Sequence, residues 1–224
     1  MENQTALVIG ATGLVGSHLV QLLLKDERFS MVKVFGRRST GLHHDKLQEY
    51  VVDFDQPNQW RHLVTGDVVF SALGTTLKQA GSKRAQYKVD HTYQYEFAQA
   101  AAQNNVPVYV LVSAAMASVH SKIFYSRMKG ELERDIKGLP FSYIHIIQPG
   151  ILVGERNENR MGEKLGIRII RFLNSMGIAK KQKPIAADIV AQAMINVCFA
   201  KNQRVSVYSL LEVFKAAQTP NLKS

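Results

Sequence analysis

The chain has 224 residues, 46% of them apolar, a formal net charge of +10 and one cysteine, Cys198. Length and composition predict one large domain, or one domain with a small appendage. They exclude a transmembrane protein, because no apolar run is long enough to cross a bilayer, and they exclude a disulfide within the chain, because a disulfide needs two cysteines. We expect a cytoplasmic protein with a buried thiol, since the first predicted strand begins almost at residue 1 with no basic and apolar leader before it.

The chain opens with the pattern of a strand, a glycine turn and a helix. An apolar run at residues 5–9 leads into the motif GATGLVG at residues 10–16, and an amphipathic stretch continues to Leu24. The first glycine allows a tight turn, the second lets phosphates approach the backbone, and the third lets the helix pack closely on the strand. Free N–H groups at the helix N-terminus would face a diphosphate, unless the glycines serve only a tight joint between strand and helix. The predicted cofactor contacts are Gly10, Thr12, Gly13, Leu14, Val15 and Gly16.

Further apolar runs predict more strands, with helical patterns between most of them. They lie at Met31–Phe35, Tyr50–Phe54, Asp67–Leu73, Val108–Ser113 and Phe141–Gln148, and a long helical segment covers Ser82–Asn104. Because strands and helices alternate, the sheet should be parallel. Several runs are almost continuously apolar, which is typical of strands covered on both faces. The sequence therefore predicts a doubly wound α/β fold.

The end of the second predicted strand carries two arginines where a fold that prefers NAD carries an acid. Arg37 and Arg38 follow Gly36, and no carboxylate stands there to bind a ribose 2′-hydroxyl. Guanidinium groups at this point can bind a 2′-phosphate through paired, charge-assisted hydrogen bonds. These residues favour NADP(H); the alternative is that they are ordinary surface arginines in a basic protein.

Two further strand ends are predicted to contact the cofactor, because ligands bind at the carboxyl ends of parallel strands. Asp53 and Phe54 end the third predicted strand and would hold the edge and the face of the adenine. Leu73, Gly74 and Thr75 end the fourth and would lie beside the diphosphate and the nicotinamide ribose.

A tyrosine and a lysine four residues apart form the second strong pattern. On a helix, Tyr125 and Lys129 lie on one side, one turn apart. A nearby ammonium group lowers the pKa of a phenol and suits it to acid/base catalysis. Ser113, at the end of the fifth predicted strand, would hydrogen-bond the reacting oxygen. The alternative is a helix with a half-buried tyrosine and a lysine that reaches the surface.

After residue 150 the pattern changes, and we predict a division into a core at residues 1–150, a smaller substrate-side region at 151–217 and a tail at 218–224. Residues 156–183 carry a net charge of +6, and a helix at about Gly162–Met176 has an apolar stripe and a basic face. This segment is either a solvated face or a contact for an anionic substrate, an acidic protein or a membrane surface. No aromatic-basic interleaving or helix-turn-helix pattern favours nucleic acid.

Together these residues resemble the short-chain dehydrogenases/reductases, in particular the atypical group with GxxGxxG near the N-terminus. Four segments are also similar to Tat-interacting oxidoreductase-like proteins: Phe35–Arg38, Val51–Phe54, Leu73–Thr76 and Gln148–Gly150. The resemblance implies a Rossmann fold that binds NADP(H), with Ser113, Tyr125 and Lys129 as the catalytic set. It also implies that Pro149 and Ile151 line the nicotinamide site.

Two positions depart from that family pattern. Asp90 stands where many members carry an asparagine that supports the lysine through water, and Ser113 is followed by the apolar residues 114–116. His120 is interpreted as an exposed loop residue, and no cluster of histidine, cysteine or acidic residues has the spacing of a metal site.

The sequence thus predicts an NADP(H)-dependent oxidoreductase that transfers hydride to or from a small carbonyl or alcohol substrate. The alternative is a regulatory protein that binds NADPH with little turnover and docks an acidic partner through the basic segment 156–183. A contact of that segment with nucleic acid or an anionic membrane is a third, weaker interpretation.

Overall fold

The computed structural model describes residues 3–153 and 184–218, and its core is a parallel sheet. The strands are β1 (Gln4–Ile9), β2 (Phe29–Gly36), β3 (Leu47–Val51), β4 (Val68–Ser71), β5 (Val108–Val112), β6 (Tyr143–Gln148), β7 (Leu152–Val153), β8 (Ile185–Ala186) and β9 (Val205–Ser209). Seven of them form the main sheet in the order β3-β2-β1-β4-β5-β6-β9, and β7 pairs with β8. The strand order reverses direction between β1 and β4, which is where a doubly wound sheet opens a crevice for a ligand.

Helices cover both faces of this sheet. They are α1 (Leu14–Lys25), α2 (Leu77–Ala80), α3 (Lys83–Tyr87), α4 (Tyr93–Gln103), α5 (Phe124–Lys137), α6 (Ala187–Val197) and α7 (Leu211–Gln218). A π-helical segment, Lys88–Thr92, joins α3 to α4, and two 3₁₀ turns at Pro57–Gln59 and Arg61–Leu63 precede β4.

Alternate residues of each strand face two different core clusters. In β1, Ala6 and Val8 belong to a cluster with residues of α1 and α6, whereas Leu7 and Ile9 belong to a cluster with residues of α4 and α5. Because side chains alternate across a strand, a continuously apolar run supplies both faces at once. The prediction of a doubly wound parallel sheet is confirmed.

Two predicted elements differ in extent from the structure. The strand expected at Tyr50–Phe54 is β3, which ends at Val51, because Phe54 turns into the core and packs against Trp60 and Tyr93. The helix expected at Ser82–Asn104 is interrupted by the π-helical segment, which points the buried Asp90 at the backbone of Thr75. Such an interruption is frequent at functional sites.

The C-terminal elements complete the main sheet. Strand β9 pairs with β6 along Ile144–Gln148, and α6 packs against α1, so residues 184–218 belong to the same sheet and core as residues 3–153. The division into a core at residues 1–150 and a smaller substrate-side region at 151–217 stays a prediction. The predicted basic segment 156–183, with its helix at Gly162–Met176, lies outside the described residues. Gln218 closes α7, and the rest of the predicted tail is also outside them.

Two sequence expectations concern the whole molecule. Cys198 is buried after the end of α6, and its Sγ donates to the Ile195 carbonyl over 3.1 Å, as expected for a structural thiol. In the part of the chain that the structure describes, no helix has both the length and the apolar character needed to span a membrane.

Candidate active site

The glycine turn between β1 and α1 leaves no room for side chains at two positions. Gly10 has a φ of +86°, and a Cβ on it would lie 2.4 Å from the carbonyl carbon of Ala72, at the end of β4. A Cβ on Gly16 would lie 2.1 Å from the Gly10 carbonyl oxygen. The turn is therefore wedged between the end of β4 and the first turn of α1, at the carboxyl edge of the sheet.

The N-terminus of α1 presents backbone donors at this turn. Gly13 is the N-cap residue and provides no side chain to cap the helix, and the amides of Leu14, Val15 and Gly16 have no acceptor among the described residues. The Thr12 side chain is exposed beside them. Unpaired amides at a helix N-terminus bind anions, so the cradle fits the diphosphate of a dinucleotide.

The two arginines predicted to select NADP are exposed at the end of β2. Neither Arg37 nor Arg38 forms an ion pair with a described residue, so both guanidinium groups are free to bind a phosphate. They lie at the carboxyl edge of the sheet, after the strand that pairs with β1, and their contact with a ribose 2′-phosphate stays a prediction.

A carboxylate that sequence reasoning missed fixes the loop after these arginines. Glu49 of β3 accepts hydrogen bonds from the Ser39 hydroxyl at 2.5 Å, from the Thr40 hydroxyl at 2.5 Å and from the Thr40 amide at 2.7 Å. Desolvation opposes the effect, but these bonds lower the pKa of Glu49. Only the register of β3 against β2 brings Glu49 to this loop, and no local motif announces it.

One predicted adenine contact is wrong as a side-chain contact. The Phe54 side chain is only 2% exposed, with its ring stacked on Tyr93 at 5.3 Å, so it cannot offer a face to adenine. Asp53 is exposed, and its carboxylate accepts from the Asp55 amide at 2.9 Å. Asp53 therefore stays a candidate for the adenine edge.

The loop after β4 is held by Asp90. This residue is 1% exposed, and its Oδ2 accepts from the Thr75 amide at 2.8 Å, while a Cβ on Gly74 would lie 3.3 Å from its Oδ1. Gln86 also donates to the Thr75 carbonyl, at 3.2 Å. Leu73, Gly74 and Thr75 thus lie in a fixed loop beside the glycine turn, and their contact with a cofactor stays a prediction.

Helix α5 carries the tyrosine and the lysine on one side, as predicted. Tyr125 lies in the first turn and is 40% exposed, whereas Lys129 is 3% exposed and its Nζ donates to the Val112 carbonyl at 3.4 Å. Desolvation lowers the pKa of Lys129, and the charges of Asp90 and Glu133 oppose that shift. The pair thus runs from the opening of the site into the protein.

The predicted lowering of the tyrosine pKa is not what the structure gives. Surrounding protein desolvates the phenol of Tyr125 although the side chain stays partly open to solvent, and with the negative charge of Asp90 it raises the pKa. At neutral pH the phenol is therefore protonated. A protonated phenol can donate to a carbonyl oxygen, which is the role it would have in a reduction.

Ser113 does not have the predicted geometry. Its hydroxyl donates to Glu133 Oε1 at 2.5 Å, and both side chains are buried. The same oxygen of Glu133 accepts from Gln148 Nε2 at 2.8 Å, and Lys137 lies 3.7 Å from the other oxygen. The one proton of the Ser113 hydroxyl is thus committed to Glu133, and the residues that follow, 114–116, carry no hydroxyl.

The loop after β5 packs onto α5 next to Lys129. A Cβ on Gly130 would lie 2.3 Å from the carbonyl carbon of Ser118, and the Ser118 amide donates to the Ser126 carbonyl at 3.0 Å. The Ala115 amide donates to the Pro149 carbonyl at 3.1 Å. Pro149 and Ile151 are buried at this edge, and their contact with a nicotinamide stays a prediction. His120 is exposed, as expected.

Comparison with known proteins agrees with this fold and this turn. A family described as NAD(P)H-binding matches residues 10–201. "Protein FMP52, mitochondrial" of Saccharomyces cerevisiae is 36% identical over 225 residues, covering 92% of this chain and 95% of that protein. "Protein fmp52, mitochondrial" of Aspergillus fumigatus is 36% identical over 203 residues, or 84% of each chain.

Solved structures show the same fold at low sequence identity. The Bordetella bronchiseptica enzyme WbmH in complex with NAD⁺ has a TM-score of 0.69 at 17% identity, over 92% of this chain and 75% of that one. A short-chain dehydrogenase/reductase superfamily protein from Agrobacterium tumefaciens with bound NAD has a TM-score of 0.70 at 12% identity, over 92% and 77%.

The strand order and the glycine turn define a Rossmann-type α/β protein, and a short-chain dehydrogenase/reductase superfamily protein has the same fold. Within that class, the chain belongs to the NAD(P)H-binding family that its residues 10–201 match. The prediction of a cytoplasmic protein was wrong, because the curated relatives are named as mitochondrial proteins. The narrower resemblance to Tat-interacting proteins stays a prediction.

Proposed function

We propose that this protein is an NADP(H)-dependent oxidoreductase that reduces a carbonyl compound or oxidises the matching alcohol. The proposal rests on the positions of two side chains of α5. Tyr125 is partly exposed, Lys129 is buried one turn further along, and both lie at the same sheet edge as the glycine turn. An acid/base group beside a dinucleotide cradle suits hydride transfer.

The choice of NADP(H) over NAD(H) is supported by the chemistry at the end of β2. Arg37 and Arg38 offer two positive groups, and Glu49 fixes the loop that follows them. A bound NADP(H) would supply or accept the hydride, while the diphosphate would rest on the amides of Leu14 and Val15.

In the reducing direction Tyr125 is the proton donor. Its raised pKa keeps the phenol protonated, so that it can donate to the carbonyl oxygen as negative charge develops there. The ammonium group of Lys129, one turn along the helix, then stabilises the phenolate. Because Ser113 donates to Glu133, the hydrogen bond to the reacting oxygen falls to Tyr125 alone.

Initial-rate assays with NADPH and a panel of aldehydes and ketones test this proposal. Wild-type protein should form alcohol and consume NADPH in equal amounts. Tyr125→Phe should lose at least about 100-fold in kcat, because it cannot supply the proton. Tyr143→Phe, at the amino edge of β6, is the matched control and should keep the wild-type rate. No turnover by the wild type, or full activity of Tyr125→Phe, would reject the proposal.

The commitment of Ser113 to Glu133 also favours a second candidate function. A site without a strand-end hydroxyl free to bind the reacting oxygen would turn over slowly, and the protein would act as an NADPH-dependent regulator that docks an acidic partner through residues 156–183. Capture of interacting proteins with and without NADPH tests this function. Identical capture in both conditions would refute it.

A further inference from the structure

Four large apolar side chains are exposed in the segments that follow the carboxyl ends of β4 and β5: Leu77 at the start of α2, Met116 in the loop after β5, and Ile123 and Tyr125 at the start of α5. Of these, Tyr125 is the proposed proton donor. We call these four residues, together with the exposed cations Lys78, Lys83, Arg84 and Lys122, the rim.

The cations of the rim are exposed and stand in segments that lack acids. Residues 68–89 and 97–130 contain no aspartate or glutamate. Lys78, Lys83, Arg84 and Lys122 are exposed, and none of them forms an ion pair with a described residue. By contrast, two exposed cations on neighbouring elements are paired: Lys88 with Asp55 at 2.6 Å and Arg134 with Asp135 at 2.8 Å.

A side-chain contact brings the two segments together. The Lys83 ammonium group lies 5.6 Å from the ring centroid of Phe124, the first residue of α5. Lys122 stands two residues before Phe124 and three before Tyr125, so each of the two segments places an exposed cation next to the first turn of α5. Unpaired like charges at one place attract an anion more strongly than isolated ones do.

We propose that the site takes amphiphilic anions, with an apolar chain that contacts Leu77, Met116 and Ile123 and a carboxylate or similar group held by Lys83 and Lys122. The inference that such a ligand carries a reacting carbonyl or alcohol rests on the proposed function. The inference that it carries a negative charge and an apolar chain rests on the rim alone. The reaction with a substrate of this class is aldehyde plus NADPH plus a proton giving alcohol plus NADP⁺.

Equilibrium binding of two unreactive probes, nonanoate and nonan-1-ol, to the full chain with NADPH tests the ligand class. Wild-type protein should bind nonanoate more tightly than nonan-1-ol, and this preference should shrink as salt is added. The double variant Lys83→Glu, Lys122→Glu should weaken nonanoate binding at least about tenfold and should weaken nonan-1-ol binding much less. Lys201→Glu, which changes the same charge at the amino edge of β9, should leave the preference unchanged.

Three results would overturn the inference: equal binding of the two probes, nonanoate binding that the double variant leaves intact, or loss in the double variant of binding to phosphatidylglycerol vesicles but not to nonanoate. The last result would make the rim a membrane contact.

Assays with 9-oxononanoate and nonanal separate this inference from the proposed function. Absence of turnover with both aldehydes rejects the reductase, whereas equal kcat/KM values for the two reject the anionic substrate class.

Discussion

The Ser113 hydroxyl donates to Glu133 Oε1 over 2.5 Å inside the protein, directly behind the end of β5. Because this bond uses the one hydroxyl proton of Ser113, we expect Ser113 to have a structural role. Ser113→Ala should therefore destabilise the protein by about 1–3 kcal/mol, because a buried carboxylate loses a donor.

The same variant should lose less than about tenfold in kcat with NADPH and an aldehyde, measured beside Tyr125→Phe. Removal of a donor that holds the reacting oxygen costs about 100- to 1,000-fold. A loss of that size in correctly folded Ser113→Ala would restore Ser113 to the catalytic set.

Glu133 should act on turnover through Lys129. The two residues are four apart on α5, and the negative charge of Glu133 raises the pKa of Lys129 against desolvation. Glu133→Gln keeps an oxygen for Ser113 but removes the charge, so Lys129 should lose its proton at a lower pH. The alkaline limb of the pH–rate profile should then move to lower pH, whereas Glu131→Gln, on the same helix, should leave it in place. An unmoved limb in Glu133→Gln would contradict this coupling.

Substitutions at two glycines of the turn should affect stability and cofactor affinity differently. A Cβ on Gly13 would lie 3.1 Å from the Gly10 carbonyl oxygen, a tight contact that a shift of a few tenths of an ångström relieves, so Gly13→Ala should lower the free energy of unfolding by only about 1 kcal/mol. It should nevertheless weaken NADPH binding at least about tenfold in calorimetry, because the methyl group faces the diphosphate. Gly16→Ala should lower both Tm and affinity, since its Cβ collides with the turn at 2.1 Å. Wild-type affinity in Gly13→Ala would place the diphosphate elsewhere.

Cofactor preference should depend on the two arginines. The double variant Arg37→Ala, Arg38→Ala should bind NADPH about 10- to 100-fold more weakly and NADH almost as the wild type does, because only NADPH carries the 2′-phosphate. Arg61→Ala, an exposed arginine before β4, serves as the control in the same titrations. Equal losses for both nucleotides in the double variant would show that the arginines do not read the 2′-phosphate.

Much of this site follows from residue types at strand ends. The glycines, the arginine pair, and Tyr125 with Lys129 are local patterns, and a parallel sheet brings strand ends to one edge. The long-range contacts are different. Glu49 reaches the loop after β2 through the pairing register, and Asp90 reaches Thr75 through a π-helical segment, so neither contact has a local signature.

The side chains of Phe54 and Ser113 lie differently from the predicted geometry for one physical reason. A residue at a predicted strand end can face the ligand or the core, and the sequence pattern does not decide which. Phe54 is drawn into the core by Trp60 and Tyr93, and Ser113 by a buried carboxylate twenty residues further along the chain. Helical spacing alone sets the position of Tyr125 relative to Lys129, whereas the pKa of Tyr125 depends on burial and on Asp90.

A buried histidine should make stability depend on pH. His145 of β6 is fully buried, and desolvation lowers its pKa to about 4. The unfolded state therefore binds a proton at this residue more readily than the folded state does. Above the ordinary histidine pKa the residue is neutral in both states and protonation costs the folded state no stability. As pH falls from there toward 4, protonation favours the unfolded state and the folded state loses stability. The free energy of unfolding should drop by about 2 kcal/mol from this residue between pH 7 and pH 5. Denaturant titrations should show a shallower drop in His145→Gln but not in His62→Gln, an exposed control; equal slopes would contradict the assignment.

The most direct test of the account is a crystal structure of the protein with NADP⁺ bound. We predict a diphosphate on the amides of Leu14 and Val15, a 2′-phosphate at Arg37 and Arg38, and a nicotinamide ring that leaves room for a substrate oxygen against Tyr125. A dinucleotide whose ring lies away from Tyr125, or whose phosphates avoid the glycine turn, would contradict it.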